Sequence, residues 1–149
     1  YIGSRGLGDV YKRQSMTFLS TITLPLVLAL FHFVGPVPTD LGIQAGHLSP
    51  CPGPAHCASA IWPVNDAETS LATLAEAIEA DPSATIVESE ATYLHATFSS
   101  KIFGFVDDVE LLASQTDSLE ARSISRLGDS DLGVNGQRLQ RLSDVLPSR

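Results

Sequence analysis

Apolar and polar positions alternate with helical and strand periods in the C-terminal part of the chain, and these periods predict its elements. Residues 66–80 carry apolar side chains at helical spacing and can be capped by Asn65 or Asp66, so a helix is predicted there. A second helix is predicted for residues 136–146, capped by Asn135. The apolar stripes of the two helices are expected to face the core: Leu71, Leu74, Ala75, Ile78, Leu139, Leu142 and Leu146.

Four strands are predicted between these helices, at residues 84–88, 92–99, 105–112 and 119–126. In the second of them every other residue is apolar, which is typical of a strand with one buried side. The order helix, four strands, helix predicts an α+β fold with a small antiparallel sheet of about four strands and two packed helices. We expect this domain to occupy residues 64–149 and to be preceded by an N-terminal apolar anchor helix.

The last two strands are predicted to form a hairpin centred near Thr116. This register places Glu110 opposite Arg122 and Asp108 opposite Ile124. Because side chains alternate along a strand, two acids and two arginines gather on one side of the hairpin. They are Asp108, Glu110, Arg122 and Arg126.

Asp107 falls on the other side of the hairpin, among apolar neighbours. A carboxylate that is buried there needs a partner. We expect the partner to be the backbone amides of residues 128–131 or the side chain of Arg138. His95, in the preceding strand, is expected to point outward without a role as a ligand or a base.

The N-terminal part of the chain is apolar over residues 18–34, which contain no Asp, Glu, Lys or Arg. As a helix this run would span about 25 Å, slightly less than a hydrocarbon core of about 30 Å. We expect residues 15–35 to be an uncleaved membrane anchor, with a cleaved secretory signal or a buried core helix as alternatives. Residues 1–14 are set apart as an expected artefact, because residues 4–14 resemble a translated sequencing adaptor.

Residues 36–63 are predicted to be a Pro- and Gly-rich linker and a cysteine-containing loop, because they show no periodicity. A disulfide between Cys51 and Cys57 would stabilise this loop by roughly 2–3 kcal/mol. Free thiols are one alternative, and a metal site that adds His47 and His56 is another. Two cysteines that follow an anchor suit an oxidising compartment.

The sequence is acidic, with 17 Asp and Glu residues against 9 Lys and Arg residues and a net charge of −8. The set-aside leader carries a net charge of +2, so the remainder carries −10. Such a charge repels phosphate backbones, and no basic stripe offsets it. Nucleic acid is therefore excluded as an expected partner, and no cofactor is predicted.

Two blocks of sequence resemble the bacterial and plastid family called domain of unknown function 1499. The first begins at Asp40 and reads DLGIQAGHLSPCPGPAHCAS. The second lies between Phe105 and Asn135 and reads FVDDVE and then RSISRLGDSDLGVN. The chain departs from the family pattern before its second cysteine, where Ala55 and His56 replace the usual Pro and Asn. The resemblance implies no activity.

The candidate site joins the charged hairpin to the loop and helix that follow it: Asp107, Asp108, Glu110, Arg122, Ser123, Ser125, Arg126, Asp131, Asn135 and Arg138. Three interpretations are open. The charged pairs could fix strand register and dock the last helix. Arg122 and Arg126 could bind a carboxylate, a phosphate or a lipid headgroup, together with loop amides and a helix N-terminus. A third interpretation is metal-assisted hydrolysis by a carboxylate cluster: Asp107, Asp108, Glu110, Asp129 and Asp131.

We favour a non-catalytic, membrane-anchored domain of the cell envelope that faces the periplasm or an equivalent oxidising compartment. It would contact the membrane through its N-terminal segment, and a small molecule or an envelope protein through its charged face. A metal-dependent hydrolase is the alternative function, and secretion after signal cleavage is the alternative localisation. No catalytic residue and no metal ligand is assigned.

Overall fold

Five antiparallel strands form the central sheet of the computed structural model, which describes residues 34–100 and 104–147. The order across the sheet is β3–β7–β6–β5–β4, so that β3 and β4 are the two edges. The strands are β3 (Cys57–Pro63), β4 (Ala84–Ser89), β5 (Tyr93–Ser99), β6 (Val106–Gln115) and β7 (Ser118–Ser125). They are preceded by a two-stranded hairpin of β1 (Ile43–Gln44) and β2 (His47–Leu48).

Two helices, α1 (Ala67–Glu79) and α2 (Val134–Ser143), pack on one side of this sheet. Asp66 caps α1 by accepting a hydrogen bond of 2.7 Å from the backbone N–H of Thr69. The apolar stripe of α1 meets the inward-facing residues of the central strands, because each strand points alternate side chains at the helices. The resulting core contains Leu71, Leu74, Ile78, Leu94, Ala96, Val109, Leu111, Leu119, Leu139 and Leu142. We call this side of the sheet the helix side.

Residues 34–56, which we call the N-terminal arm, contribute to the other side of the sheet. Within the arm, β1 and β2 are joined by a two-residue turn in which Ala45 and Gly46 have positive φ angles of 52° and 87°. Two residues with positive φ are typical of the tightest hairpin turns. Strand β2 contacts β6 and β7. We call this side of the sheet the arm side.

The α+β class, both helices and the four predicted strands are confirmed. The predicted hairpin register is also confirmed, because Glu110 lies opposite Arg122 and Asp108 lies opposite Ile124. The predicted disulfide between Cys51 and Cys57 is present as well. It excludes both free thiols and a metal site built on these two sulfur atoms.

The prediction that residues 57–63 belong to a loop is wrong, because these residues form the edge strand β3 along the whole of β7. The helix-side positions of β3 include the small residues Ala58 and Ala60, which hide the apolar alternation that marks a strand. The sheet therefore has five strands where four were expected.

The second helix begins at Val134, and the prediction that Asn135 caps it is wrong. The carboxylate of Asp131 accepts hydrogen bonds from the backbone N–H groups of Gly133 (2.8 Å) and Asn135 (2.9 Å). Because Asp131 already occupies these free amides, the helix can begin two residues earlier than its sequence pattern indicated.

The predicted artefact at residues 1–14 and most of the predicted anchor at 15–35 lie outside the described residues. Within residues 34–100 and 104–147, no helix is both long enough and apolar enough to cross a membrane.

Candidate functional site

Strand alternation divides the polar residues of the predicted site between the two sides of the sheet. Asp108, Glu110, Arg122 and Arg126 lie on the arm side, as the hairpin register predicted. The remaining members join on the helix side or at the start of α2: Asp107, Ser123, Ser125, Asp131, Asn135 and Arg138. The chain therefore builds two separate polar networks.

Arg122 is the centre of the arm-side network, where only 1% of its surface is exposed. Its Nη1 donates to Glu110 Oε2 at 3.0 Å, and its Nη2 donates to Asp40 Oδ2 at 2.6 Å. Glu110 also accepts hydrogen bonds from the hydroxyl of Tyr93 (2.8 Å) and the backbone N–H of Gly42 (2.6 Å). The ion pair that was predicted within the hairpin thus holds the chain's own N-terminal arm.

Asp108 forms the second part of the arm-side network and is fully buried. Arg126 binds it through two hydrogen bonds, Nε to Oδ2 at 2.7 Å and Nη2 to Oδ1 at 2.8 Å. His95 Nε2 lies 2.8 Å from Asp108 Oδ1. Burial raises the pKa of the Asp108 carboxyl, but the hydrogen bonds from Arg126 and His95 outweigh burial, and the net direction is downward. Asp108 is therefore held as a carboxylate.

His95 is buried beside Asp108, so the expectation that it points outward is wrong. The strand period placed His95 on the arm side correctly, but that side of the sheet is covered. Tyr93, two residues earlier, is buried for the same reason. Burial and the neighbouring Glu110 carboxylate raise the pKa of the Tyr93 hydroxyl, which keeps it a hydrogen-bond donor.

Glu120 fastens the second strand of the arm hairpin to the sheet. Its Oε1 lies 2.6 Å from Nδ1 of His47, and its Oε2 accepts a hydrogen bond of 3.0 Å from the backbone N–H of Leu48. Burial raises the pKa of Glu120, but the hydrogen bonds from His47 and Leu48 outweigh it and lower the pKa overall. Three acidic residues from different parts of the chain therefore fix the arm: Asp40, Glu110 and Glu120.

Arg138 organises the network on the helix side. It donates to Asp107 Oδ2 at 2.6 Å, so one of the two partners expected for Asp107 is the one observed. The guanidinium also lies 4.9 Å from the centre of the Phe98 ring, a cation–π distance. It donates further to Ser123 Oγ at 2.9 Å and to Asn135 Oδ1 at 2.8 Å. These contacts join α2 to β6 and β7.

Asn135 is fully buried, and its side-chain amide joins three segments. Its Nδ2 donates to the backbone oxygen of His56 at 3.1 Å and to Ser125 Oγ at 2.8 Å. The Asp131 carboxylate accepts the backbone N–H groups of the first turn of α2, which lowers the Asp131 pKa despite partial burial. An external anion at this helix N-terminus would have to displace that carboxylate.

The family model described as Protein of unknown function (DUF1499) matches residues 47–146. The chain belongs to this family. Comparison with curated proteins found no match, and comparison with solved structures found none either. Both polar networks of this DUF1499 domain take most of their members from the matched residues, whereas Asp40 and Gly42 precede them.

A cleft of about 440 Å³ lies on the arm side, beside the edge strand β3. One wall is formed by residues 48–50 of the arm, and another by residues 59–61 of β3. Residues 120–122 of β7, which include Glu120 and Arg122, complete the lining. The sequence did not predict this cleft, because it forms only where the arm folds back over the sheet.

Two buried side-chain polar atoms lack a hydrogen-bond partner within residues 34–100 and 104–147, and both belong to residues that line this cleft. They are Oγ of Ser49, a residue that is 7% exposed, and Nε of Arg122. A buried polar atom without a partner costs about 1–3 kcal/mol. Both unpartnered buried atoms of the described residues therefore belong to residues at this cleft.

The free edge of β3 lies next to the same cleft. The backbone N–H groups of Ser125 and Val64 bond to the oxygens of His56 and Asp117, so the even-numbered residues of β3 turn their backbone groups toward β7. The odd-numbered residues, Ser59 and Ile61 among them, consequently turn their N–H and C=O groups outward. No backbone hydrogen bond beyond the sheet ladder reaches either residue from the described parts of the chain.

No group of three or more His, Cys, Asp or Glu side chains suited to a metal ion occurs within the described ranges. Among the carboxylates considered for metal binding, Asp107, Asp108 and Glu110 each pair with an arginine. Asp131 is bonded to backbone amides. A metal ion would have to compete with these internal partners.

Proposed function

We propose that this DUF1499 domain is a non-catalytic binding module of the cell envelope, which contacts its partner at the cleft between the N-terminal arm and β3. The observation that carries the proposal is that Ser49 and Arg122, the two residues whose buried Oγ and Nε atoms lack partners in the described parts of the chain, both line this cleft. A partner that formed hydrogen bonds with both atoms would remove the unfavourable free energy of leaving them buried and unpaired in the isolated domain.

The non-catalytic part of the proposal is supported by the pairing of the charged residues. A general acid or base needs a titratable group that can exchange a proton with a substrate. The carboxylates of Asp107, Asp108 and Glu110 are instead buried against guanidinium groups. Hydrolysis assisted by a metal ion would require at least two of these pairs to open, so we favour binding over that alternative.

The cell-envelope part of the proposal is supported by the disulfide between Cys51 and Cys57. Structural disulfides are typical of oxidising compartments and rare in the cytosol. The apolar run at residues 18–34 adds a means of attachment to a membrane. Membrane anchoring with the domain in an oxidising compartment is therefore the arrangement that we propose.

Site-specific photocrosslinking tests the binding site. A photoreactive amino acid at Ile61, on the exposed edge of β3, should give a specific adduct in the native envelope, because Ile61 lines the cleft and is 71% exposed. Val87, which is 57% exposed on the opposite edge strand, is the matched control and should give none. The mass of the adduct distinguishes a small molecule from a protein. Equal labelling at both positions, or none at Ile61, would contradict the proposal.

A further inference from the structure

We infer that the occupant of the cleft is an uncharged, extended peptide segment of another protein, which adds to the edge of β3 as a further strand. This inference rests on the proposed binding function and specifies the chemistry of the partner. It follows from the hydrogen-bonding character of the two unpaired atoms, the charge around them and the state of the adjacent sheet edge.

The two unpaired atoms can be satisfied by uncharged polar groups. Arg122 Nε carries a hydrogen that can only be donated, so it requires an acceptor. Ser49 Oγ can either donate or accept. The hydroxyl or amide of an uncharged polar side chain can do both, and alternate side chains of a strand added to β3 point toward the arm side.

The charge around Arg122 favours a neutral acceptor over an anion. Asp40 and Glu110 already bind its guanidinium, and Glu120 lines the same cleft. His47, which contacts Glu120, adds a positive charge only when it is protonated. Arg122 therefore has three carboxylates around it, of which Glu120 lines the cleft, and at most one further cation. A phosphate or carboxylate ligand would meet net repulsion there, whereas a peptide carbonyl would not.

The edge of β3 has the properties of a strand that can accept another strand. Residues 57–63 contain no charged side chain, and Ser59 and Ile61 turn unpaired backbone groups outward. An exposed apolar edge without charges or irregularities is a template for strand addition.

The opposite edge of the sheet differs in the features that prevent such pairing. Strand β4 contains Glu88, and a register shift between Ile86 and Glu88 interrupts its ladder. Charges and bulges are two of the means by which edge strands avoid intermolecular pairing. Strand β3 has neither a charge nor a register shift, and its one proline, Pro63, is its last residue, so we take β3 as the edge available for recognition.

The lining of the cleft also suits a peptide side chain that is apolar. The apolar side chains of Leu48 and Pro50 from the arm and of Ile61 from β3 belong to residues that line the cleft. Every other side chain of an added strand would point toward the arm side, since alternate residues of a strand face the same way. Backbone pairing would provide affinity, and the cleft would select uncharged residues at alternate positions.

The experiment measures amide hydrogen exchange of the full chain in detergent micelles. The probe is a degenerate pool of acetylated, amidated hexapeptides that contain only Ser, Thr, Ala, Val and Leu. With the pool at about 1 mM, exchange at Ser59 and Ile61 should slow at least about tenfold, because both N–H groups gain acceptors. Exchange at Val87 is the internal control and should stay unchanged.

Three comparisons make the result decisive. The same pool methylated at every peptide nitrogen should give no protection, because neither edge of the peptide can then donate a hydrogen bond to the carbonyl oxygens of β3. Acetate and inorganic phosphate should also give none. Ser49→Ala should weaken peptide binding about tenfold while leaving the protein at least as thermally stable as the wild type, because the substitution removes an unsatisfied buried hydroxyl.

The inference is overturned if the methylated pool protects β3 equally, if only the anions protect it, or if the unmethylated pool does not. It is also overturned if Ser59 and Ile61 are already protected in the free protein, including through a concentration-dependent dimer of the chain. A small-molecule adduct at Ile61 in the crosslinking experiment would sustain the proposed binding function while excluding a peptide. Absence of any adduct at Ile61 would exclude both.

Discussion

Arg122 shows how one side chain can both stabilise the fold and leave a site unfilled. Two of its nitrogens are bonded to Glu110 and Asp40, while Nε has no partner. Breaking a buried ion pair by removing one partner leaves an uncompensated charge, which costs far more than replacing both partners with apolar groups. The arm-side charges are therefore expected to behave as a unit.

A double-mutant cycle tests this coupling. Glu110→Leu should lower the free energy of unfolding by about 3–5 kcal/mol, because it leaves Arg122 without its buried partner. In the double variant Glu110→Leu/Arg122→Leu, the free energy of unfolding should fall by less than the sum of the two single losses. The difference should be at least about 1 kcal/mol. Urea denaturation of the four proteins provides the measurement. Strict additivity would show that the two side chains act independently.

At the residue scale, the sequence predicted which charges meet more reliably than it predicted their surroundings. The pairing of Glu110 with Arg122 follows from the turn and from strand alternation, and both are determined by residues that are close together in the sequence. The burial of His95 is not encoded in its own strand, and the contact of Asp40 with Arg122 joins residues that are 82 positions apart. No periodicity within a strand contains such information.

At the scale of elements, the N-terminal arm contributes as much to the site as the sheet does. It supplies Asp40 and Gly42 to the charged network, and Ser49 to the cleft. The sequence pattern presented it as a linker because Gly and Pro interrupt any period. Strand β3 was missed at the same time, since small residues occupy the positions where it meets α2. The strands and helices with large apolar residues, in contrast, were predicted correctly.

Gly35 provides a test of how closely the arm is docked. A Cβ at Gly35 would lie 2.6 Å from Leu127 Cγ and 3.0 Å from the backbone oxygen of Arg126. Gly42 also has a positive φ, of 94°, but a Cβ there would meet nothing within 4 Å. Both alanine variants should carry backbone strain, and Gly35→Ala should lose about 1–3 kcal/mol more through crowding. Equal losses in chemical denaturation would indicate that the arm does not pack against Leu127.

At the scale of the whole molecule, ionised carboxylates link stability to pH. The folded-state pKa values of Asp108, Glu120 and Asp131 lie below their ordinary values. The stability that such groups contribute is present above their unfolded pKa and is lost as the pH falls through the folded pKa. The raised pKa of Tyr93 acts at the other end of the range, where stability is lost above about pH 10.

The expected profile is therefore a plateau bounded on the acid side. Denaturation midpoints should be nearly constant between about pH 5 and pH 10 and should fall progressively below about pH 4. Asp108→Asn should remove part of this acid dependence, whereas Glu90→Gln, at an exposed position after β4, should retain it in full. Stability that is unchanged between about pH 6 and pH 3 would contradict the assigned role of these carboxylates.

The polar groups of this DUF1499 domain have two different roles. Buried ions are paired internally and hold the arm and α2 on the sheet, while the unmet hydrogen-bonding groups collect beside β3. The class of the fold and the charged pairs could be predicted from the sequence, because both arise from periodicity and short-range register. The cleft could not be predicted, because it depends on where the N-terminal arm, which has no periodicity, packs on the sheet.

Amide hydrogen exchange along β3 in the free protein shows whether this edge of the sheet is open. Alternation is expected: Ala58, Ala60 and Trp62 exchange slowly because their N–H groups bond to β7, while Ser59 and Ile61 exchange rapidly at an open edge. Uniformly slow exchange along the strand would mean that the edge is already occupied, and it would contradict both the register and the proposed site of binding.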